Sequence, residues 1–181
     1  MRAVIFTAAI LCTCHATMAA DSPEQQAGAL AREFVSLLKP QLKQAIAEGG
    51  PASAIAVCAD LAPAIADALS ESSGWDVERV SLKSRNASRA VPDPWQRTVL
   101  LDFATRQAAG EDASNMSFGE VVGGQYRYMQ AQAVEPLCLV CHGKGLSDEV
   151  QDALEQYYPD DTATGYSLGQ VRGAISLSRD M

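Results

Sequence analysis

The chain has 181 residues, nearly half of them apolar and a fifth charged, a balance that describes one folded domain and excludes a disordered tail or two large domains. Its 14 basic side chains stand against 22 acidic ones, a formal charge of −8. Nucleic acid is thereby excluded as a partner, because a phosphate backbone is bound through a basic footprint.

The first residues read as an export signal. Met1-Arg2 is followed by an apolar run from Ala3 to Cys14, then by "HATMAAD", with small residues at Ala19 and Ala20 where a signal peptidase would cut. A short positive start, an apolar stretch of that length and a small-residue site define a secretory signal peptide over residues 1–20. The stretch is too short for a transmembrane helix, and the residues before Cys12 and Cys14 make a poor lipobox. No later stretch is expected to span a bilayer. The mature domain, residues 21–181, is therefore expected to be soluble, without an integral membrane segment, and periplasmic or otherwise exported. Cleavage leaves Cys58, Cys138 and Cys141 as the cysteines and His142 as the one histidine. An odd thiol in an exported chain implies an intermolecular pair, a free thiol or a metal ligand.

Ser22-Pro23 opens a helix, with a hydroxyl cap and proline at the first helical position. Ala27, Leu30, Phe34, Leu37, Leu38, Leu42, Ala45 and Ile46 keep its period; Pro40 should kink or divide it, and Gly49-Gly50 end it. A second helix follows from about Pro51, with Ile55, Cys58, Leu61, Ala62 and Ile65 on one face, so Cys58 should point at the core. Pro63 is expected to bend or break it. "WDVERVSLKS" alternates, with Val80 and Leu82 on one side and Arg79, Ser81 and Lys83 on the other, which predicts a half-buried strand. A third helix begins at Asp93-Pro94, carries Trp95, Val99 and Phe103, and stops at Gly110. "SFGEVVGGQYRYMQAQAV" predicts a hairpin turning on Gly123-Gly124.

Next comes "EPLCLVCHGKG", residues 135–145, a loop-like stretch rich in proline and glycine. A short helix from Ser147 to Tyr157 follows, and a last strand, "GQVRGAISLS", should set Val171, Gly173, Ile175 and Leu177 on one face. Gly173 leaves room for close approach of a ligand or backbone. The order of elements predicts a single α+β domain, an antiparallel sheet with helices packed beside it.

Cys138-Leu-Val-Cys141-His142 fits covalent attachment of one haem c. Two thiols three residues apart reach the two vinyl groups of one porphyrin, and the next residue offers an imidazole to the iron. Export agrees with this, since such attachment takes place outside the plasma membrane in bacteria. A Cys138–Cys141 disulfide needs no haem, but its redox form expects a βαβ setting that is missing here. A structural zinc site from Cys58, Cys138, Cys141 and His142 would demand ligation by adjacent residues, which strains a tetrahedron. The opposite face of the iron is left to Cys58, Met116, Met129, a tyrosine, water or nothing. The leftover thiol favours Cys58, with Met129 next. Arg79, Lys83, Arg85 and Arg127 are the cations that could meet the haem carboxylates.

Four segments resemble a known family, the stand-alone and sensor-linked c-type haem domains with a PAS-like fold: "AIAVCADLAPAIA", "ERVSLKSRN", "YRYMQAQAV…CLVCHG" and "TGYSLGQVRGAISL". They occur in the family's order across nearly the whole mature chain. The resemblance implies a PAS-like antiparallel sheet flanked by N-terminal helices, and iron held by His142 and Cys58. Residues 86–93, Asn86 to Asp93, depart from the family's pattern. The function so implied is that of an exported monohaem c-type cytochrome in one-electron transfer or redox sensing, with an unknown redox partner. Its thiolate ligation implies a low potential. The alternative is a haem-based gas or redox sensor that binds a diatomic gas when reduced and signals through a separate protein. No acid–base pair stands out to suggest an enzyme.

Overall fold

The computed structural model describes residues 21–181; the signal peptide expected over residues 1–20 lies outside the described residues. Helix α1 (Pro23–Ser73) begins with a reciprocal cap, in which the Ser22 hydroxyl accepts from the Gln25 amide and the Gln25 side chain accepts from the Ser22 amide. Its dihedrals leave the helical region at one residue, Gly50 (φ 77°, ψ 178°), a conformation open to glycine and hostile to side chains. Pro51 then restarts the helix where its missing N–H costs nothing. Pro40, expected to kink or divide the helix, and Pro63, expected to bend or break it, both sit inside helix that is not interrupted at either residue. Each forfeits one hydrogen bond, but Leu38, Ala62, Ile65 and Ala66 around them are buried, and that packing holds the turns. Contrary to expectation, α1 is also long and apolar enough to cross a membrane by length and composition. In the fold its apolar residues Phe34, Leu38, Ile65 and Leu69 pack on the sheet.

Strands β1 (Asp76–Val80), β2 (Ser117–Val122), β3 (Gln125–Ala133) and β4 (Val171–Asp180) form one antiparallel sheet in the order β1-β4-β3-β2. The sheet and the helices around it make the expected α+β, PAS-like domain. Helix α1 covers one face, where Val77, Tyr128, Ile175 and Leu177 meet its apolar side. Helix α2 (Pro94–Ala108) covers the other, where Val80, Met116, Met129 and Ala131 pack against Val99, Leu100 and Phe103. The alternation expected through residue 83 stops at Val80: Leu82 is exposed and Ser81 is buried, its hydroxyl donating toward the carbonyls of Lys83 and Arg172.

Strand β4 departs from its expected parity in one place. Gln132 pairs with Gly173 and Ala133 with Val171, so Arg172 is an extra residue, a β-bulge. The bulge moves Val171 to the α2 side, where it packs with Val80 and Ala131, and separates it from Ile175 and Leu177. It also turns Arg172 toward the α1 side. Gly173 beside it allows β4 to press against β1, since an added Cβ would come under 3.0 Å from the Val80 carbonyl. The close approach left open by the sequence is therefore made by backbone. The segment expected to be a loop is helix α3 (Pro136–His142), followed by α4 (Asp148–Tyr157), which packs on α1 through Val150, Leu154 and Ile55.

Candidate haem site

Between α1, the α1-facing side of the sheet, α3 and α4 lies a cleft with two connected lobes. One lobe is the larger, and both open to solvent. Cys58, Arg79, Arg85, His142, Tyr158 and Arg172 line both lobes. The larger lobe has an apolar wall from α1, with Leu38, Leu42, Ile46 and Ile55, and receives Cys138 and Cys141 from α3. All the cysteines and the histidine singled out in the sequence thus converge on one cavity.

Helix α3 explains the spacing of the motif. Pro136 starts it, and the Gly143 amide closes it on the Leu139 carbonyl (2.9 Å). Within that turn Cys138 packs against Val134, Ala163 and Tyr166, while Cys141 packs against Ile55 and Leu154. Both thiols are half-buried and free, and burial pushes the Cys141 thiol up. The loop between α4 and β4 straps the end of α3: the Tyr166 amide donates to the His142 carbonyl and the Gly165 amide to that of Gly143.

His142 is oriented from behind. Its Nδ1 lies 2.6 Å from the Ala163 carbonyl, which can only accept, so Nδ1 carries the proton and Nε2 keeps its lone pair. Burial, with Arg172 and Arg85 nearby, holds the imidazole neutral, its pKa pushed down to about 2. Arg172 Nε lies 3.2 Å from Nδ1 and 3.5 Å from Nε2. Since Nδ1 is already a donor, the guanidinium rests beside the ring as a charge. A neutral imidazole with a fixed Nδ1–H is the form that ligates a metal through Nε2.

Buried Arg85 and Asp161 hold this arrangement together. Arg85 Nη2 donates to the Cys141 carbonyl (2.5 Å) and to Asp161 Oδ2 (3.1 Å). Asp161 Oδ1 accepts from the Ala163 amide (2.8 Å), whose own carbonyl takes the histidine proton. Arg85 Nε is buried without a partner among the described residues. Asp161 and Arg172 were missed from the sequence. The first had no motif, and the second depends on a bulge.

Other expectations are corrected here. Met116 and Met129 are wholly buried on the α2 face, so both are core and neither reaches the cleft. Arg127 lies on that face as well, bonded to Asp93 (2.6 Å) and stacked over Trp95, and it cannot serve the cleft. Lys83 lies over Tyr166 and donates to the Thr164 carbonyl (3.2 Å). Against the zinc alternative, no three His, Cys, Asp or Glu side chains group as metal ligands among the described residues. Tyr158, which the motif did not signal, lines the cleft beside Cys58, and burial raises its phenol pKa.

The comparison with curated proteins finds no match. Among solved structures the chain resembles the crystal structure of the cyanobacterial heme-protein Tll0287, at 22% identity and a TM-score of 0.62, over 89% of this chain and 98% of that one. That likeness concerns the fold. A model of the Tll0287-like family matches residues 15–179, nearly the whole sequence. This chain belongs to the Tll0287-like family.

Proposed function

We propose that this protein is an exported c-type cytochrome that carries one covalent haem in the cleft and transfers single electrons. The observation that carries the reading is the neutral, back-bonded His142 on the same short helix turn as Cys138 and Cys141, all opening on one cavity. The residues fit a large planar group with one apolar face and acidic edges. Aliphatic side chains of α1 and a cluster of arginines line the same cavity. The solved relative is described as a heme-protein, which agrees.

In this reading Cys138 and Cys141 would form the thioether tethers, and His142 Nε2 and Cys58 would hold the iron. Haem supplies a one-electron iron couple when bound. The remaining work belongs to the chain. Ala163 fixes the imidazole, α1 excludes water with Leu38, Leu42 and Ile55, and the half-buried Cys58 offers a sulfur donor, whose ligation would favour the oxidised state. A sensing role is the second reading, supported by the second lobe, which adjoins Cys58 and would admit a diatomic gas.

The test is the mass and spectrum of protein matured in cells with an active cytochrome c maturation system. One haem should survive denaturation, and Cys138→Ala with Cys141→Ala should abolish it. Cys58→Ser should convert a low-spin ferric spectrum to a high-spin one and raise the potential, whereas Met129→Leu should change neither. An unmodified mass refutes the reading, and an unchanged Cys58→Ser spectrum refutes the ligand set.

A further inference from the structure

The charges lining the cleft do not balance. Most of its rim is paired: Arg89 with Asp67, and Lys39 with Glu135. Glu78 points through the sheet to α2, where it accepts from Gln96, and burial raises its pKa. Inside, three guanidiniums, Arg79, Arg85 and Arg172, line both lobes; among the described residues Arg85 alone of the three has an ion pair, with Asp161, which stands behind the lining. Two positive charges are left without an anion.

Both keep free terminal donors. Arg79 forms no ion pair and no hydrogen bond among the described residues; its Cζ lies 5.7 Å from the centre of the Phe34 ring. Arg172 is anchored by Nη1, which donates to Ser81 Oγ (2.9 Å) and the Lys83 carbonyl (3.1 Å), while its Nη2 bonds nothing among the described residues. A fold does not gain stability by placing like charges beside a buried neutral imidazole, so the cluster reads as a receptor. Planar forks with unused N–H groups suit carboxylates, which they bind in bidentate fashion.

We infer that Arg79 and Arg172 form a dicarboxylate receptor, and that it takes the two acid side chains of the haem. The inference rests on the function proposed above and adds its orientation. The apolar vinyl edge lies at α3 with the thiols, and the acidic edge at β1 and the β4 bulge. The bulge is then part of the binding site, because it is what turns Arg172 inward. Arg85, held by Asp161 and the Cys141 carbonyl, stays with the polypeptide.

The experiment uses the matured, haem-loaded chain, with covalent haem first verified by mass. The midpoint potential is followed against pH for the native protein, Arg79→Gln, Arg172→Gln, Arg79→Lys and Arg127→Gln. An arginine beside a carboxylate lowers its pKa by about one to three units. Each glutamine variant in the cleft should therefore raise the proton affinity of the redox-linked acid by about tenfold or more, moving that titration to higher pH. Arg79→Lys should restore most of it, and Arg127→Gln, on the other face, should leave the curve in place. If Arg172→Gln does not fold, Arg79→Gln and Arg172→Lys carry the test. Unmoved curves in haem-loaded variants overturn the receptor alone, whereas a haem-free native protein overturns the function on which it rests. Saturable binding of succinate to the haem-loaded protein, lost in Arg79→Gln, would reassign the receptor to a soluble acid and likewise overturn the inference; none is expected.

Discussion

Replacing Asp161 by alanine should be among the most damaging single changes in the molecule. The Asp161 and Arg85 side chains are 6% and 9% exposed and form an ion pair at 3.1 Å. Removing one partner of a buried pair costs about 3–5 kcal/mol, because the other charge is left in a medium that cannot solvate it. Asp161 Oδ1 also accepts from the Ala163 amide at 2.8 Å, adding about 1 kcal/mol. For a chain of this size each kcal/mol moves Tm by about 2–4 °C, so Asp161→Ala should lower it by about 10–20 °C. The melt is best followed by far-ultraviolet circular dichroism in the Cys138→Ala/Cys141→Ala background, where haem does not contribute. Arg85→Leu combined with Asp161→Leu should recover part of the loss, since removing a buried pair entirely is far milder than breaking it. In haem-loaded protein Asp161→Ala should also perturb the axial-ligand spectrum, because the Ala163 carbonyl that orients His142 is held by the same carboxylate. A Tm within about 3 °C of native, or a double variant as unstable as the single one, would show that this pair does not hold the site.

Gly173→Ala should cost about 1–3 kcal/mol, read as a lower urea midpoint, because its Cβ would press on the Val80 carbonyl, which is backbone and cannot swing aside; native-like stability would show that the two strands yield there. Met129→Ala should cost about 2–5 kcal/mol as a cavity in the α2-side core while leaving the haem spectrum intact, and a changed spectrum would place Met129 at the iron after all. Asp93 caps α2; burial alone would raise its carboxyl, but the Gln96 amide and Arg127 outweigh it and hold the pKa below the usual value. A depressed acid stabilises the fold above its unfolded pKa and loses that contribution as pH falls through the folded one. Asp93→Ala should therefore lower stability by about 1 kcal/mol near neutrality, with the gap constant above about pH 5 and closing below about pH 4. A gap that persists to about pH 2 would contradict this.

The chemistry of the site was legible where it is local in sequence. Cys138, Cys141 and His142 share one helical turn, so spacing alone defines their reach, and the count of cysteines and histidines singled out Cys58. The expected loop there is helical because Pro136 sits at its first position, where proline favours a helix. The prolines of α1 misled in the opposite direction. Pro40 and Pro63 are overridden by buried neighbours, while Gly50, which can adopt a positive φ, makes the break. The arginines show the limit. Alternation along β1 puts Arg79 opposite Val80, but which face holds a cleft depends on α1 and α2, and Arg127 was misplaced for that reason. Arg172 could not be read from parity at all, since one unpaired residue reverses parity on one side of it.

That unpaired residue has a consequence for how the sequence can vary in length. With Arg172 deleted, Ala133–Val171 and Gln132–Gly173 would become successive rungs of an unbroken ladder, and the strand pairing would improve. Shortening the chain by one residue here should yield a more regular sheet, a sturdier empty protein and a poorer holder of its cofactor. Selection for stability alone would remove the irregularity; selection for the filled cleft would keep it.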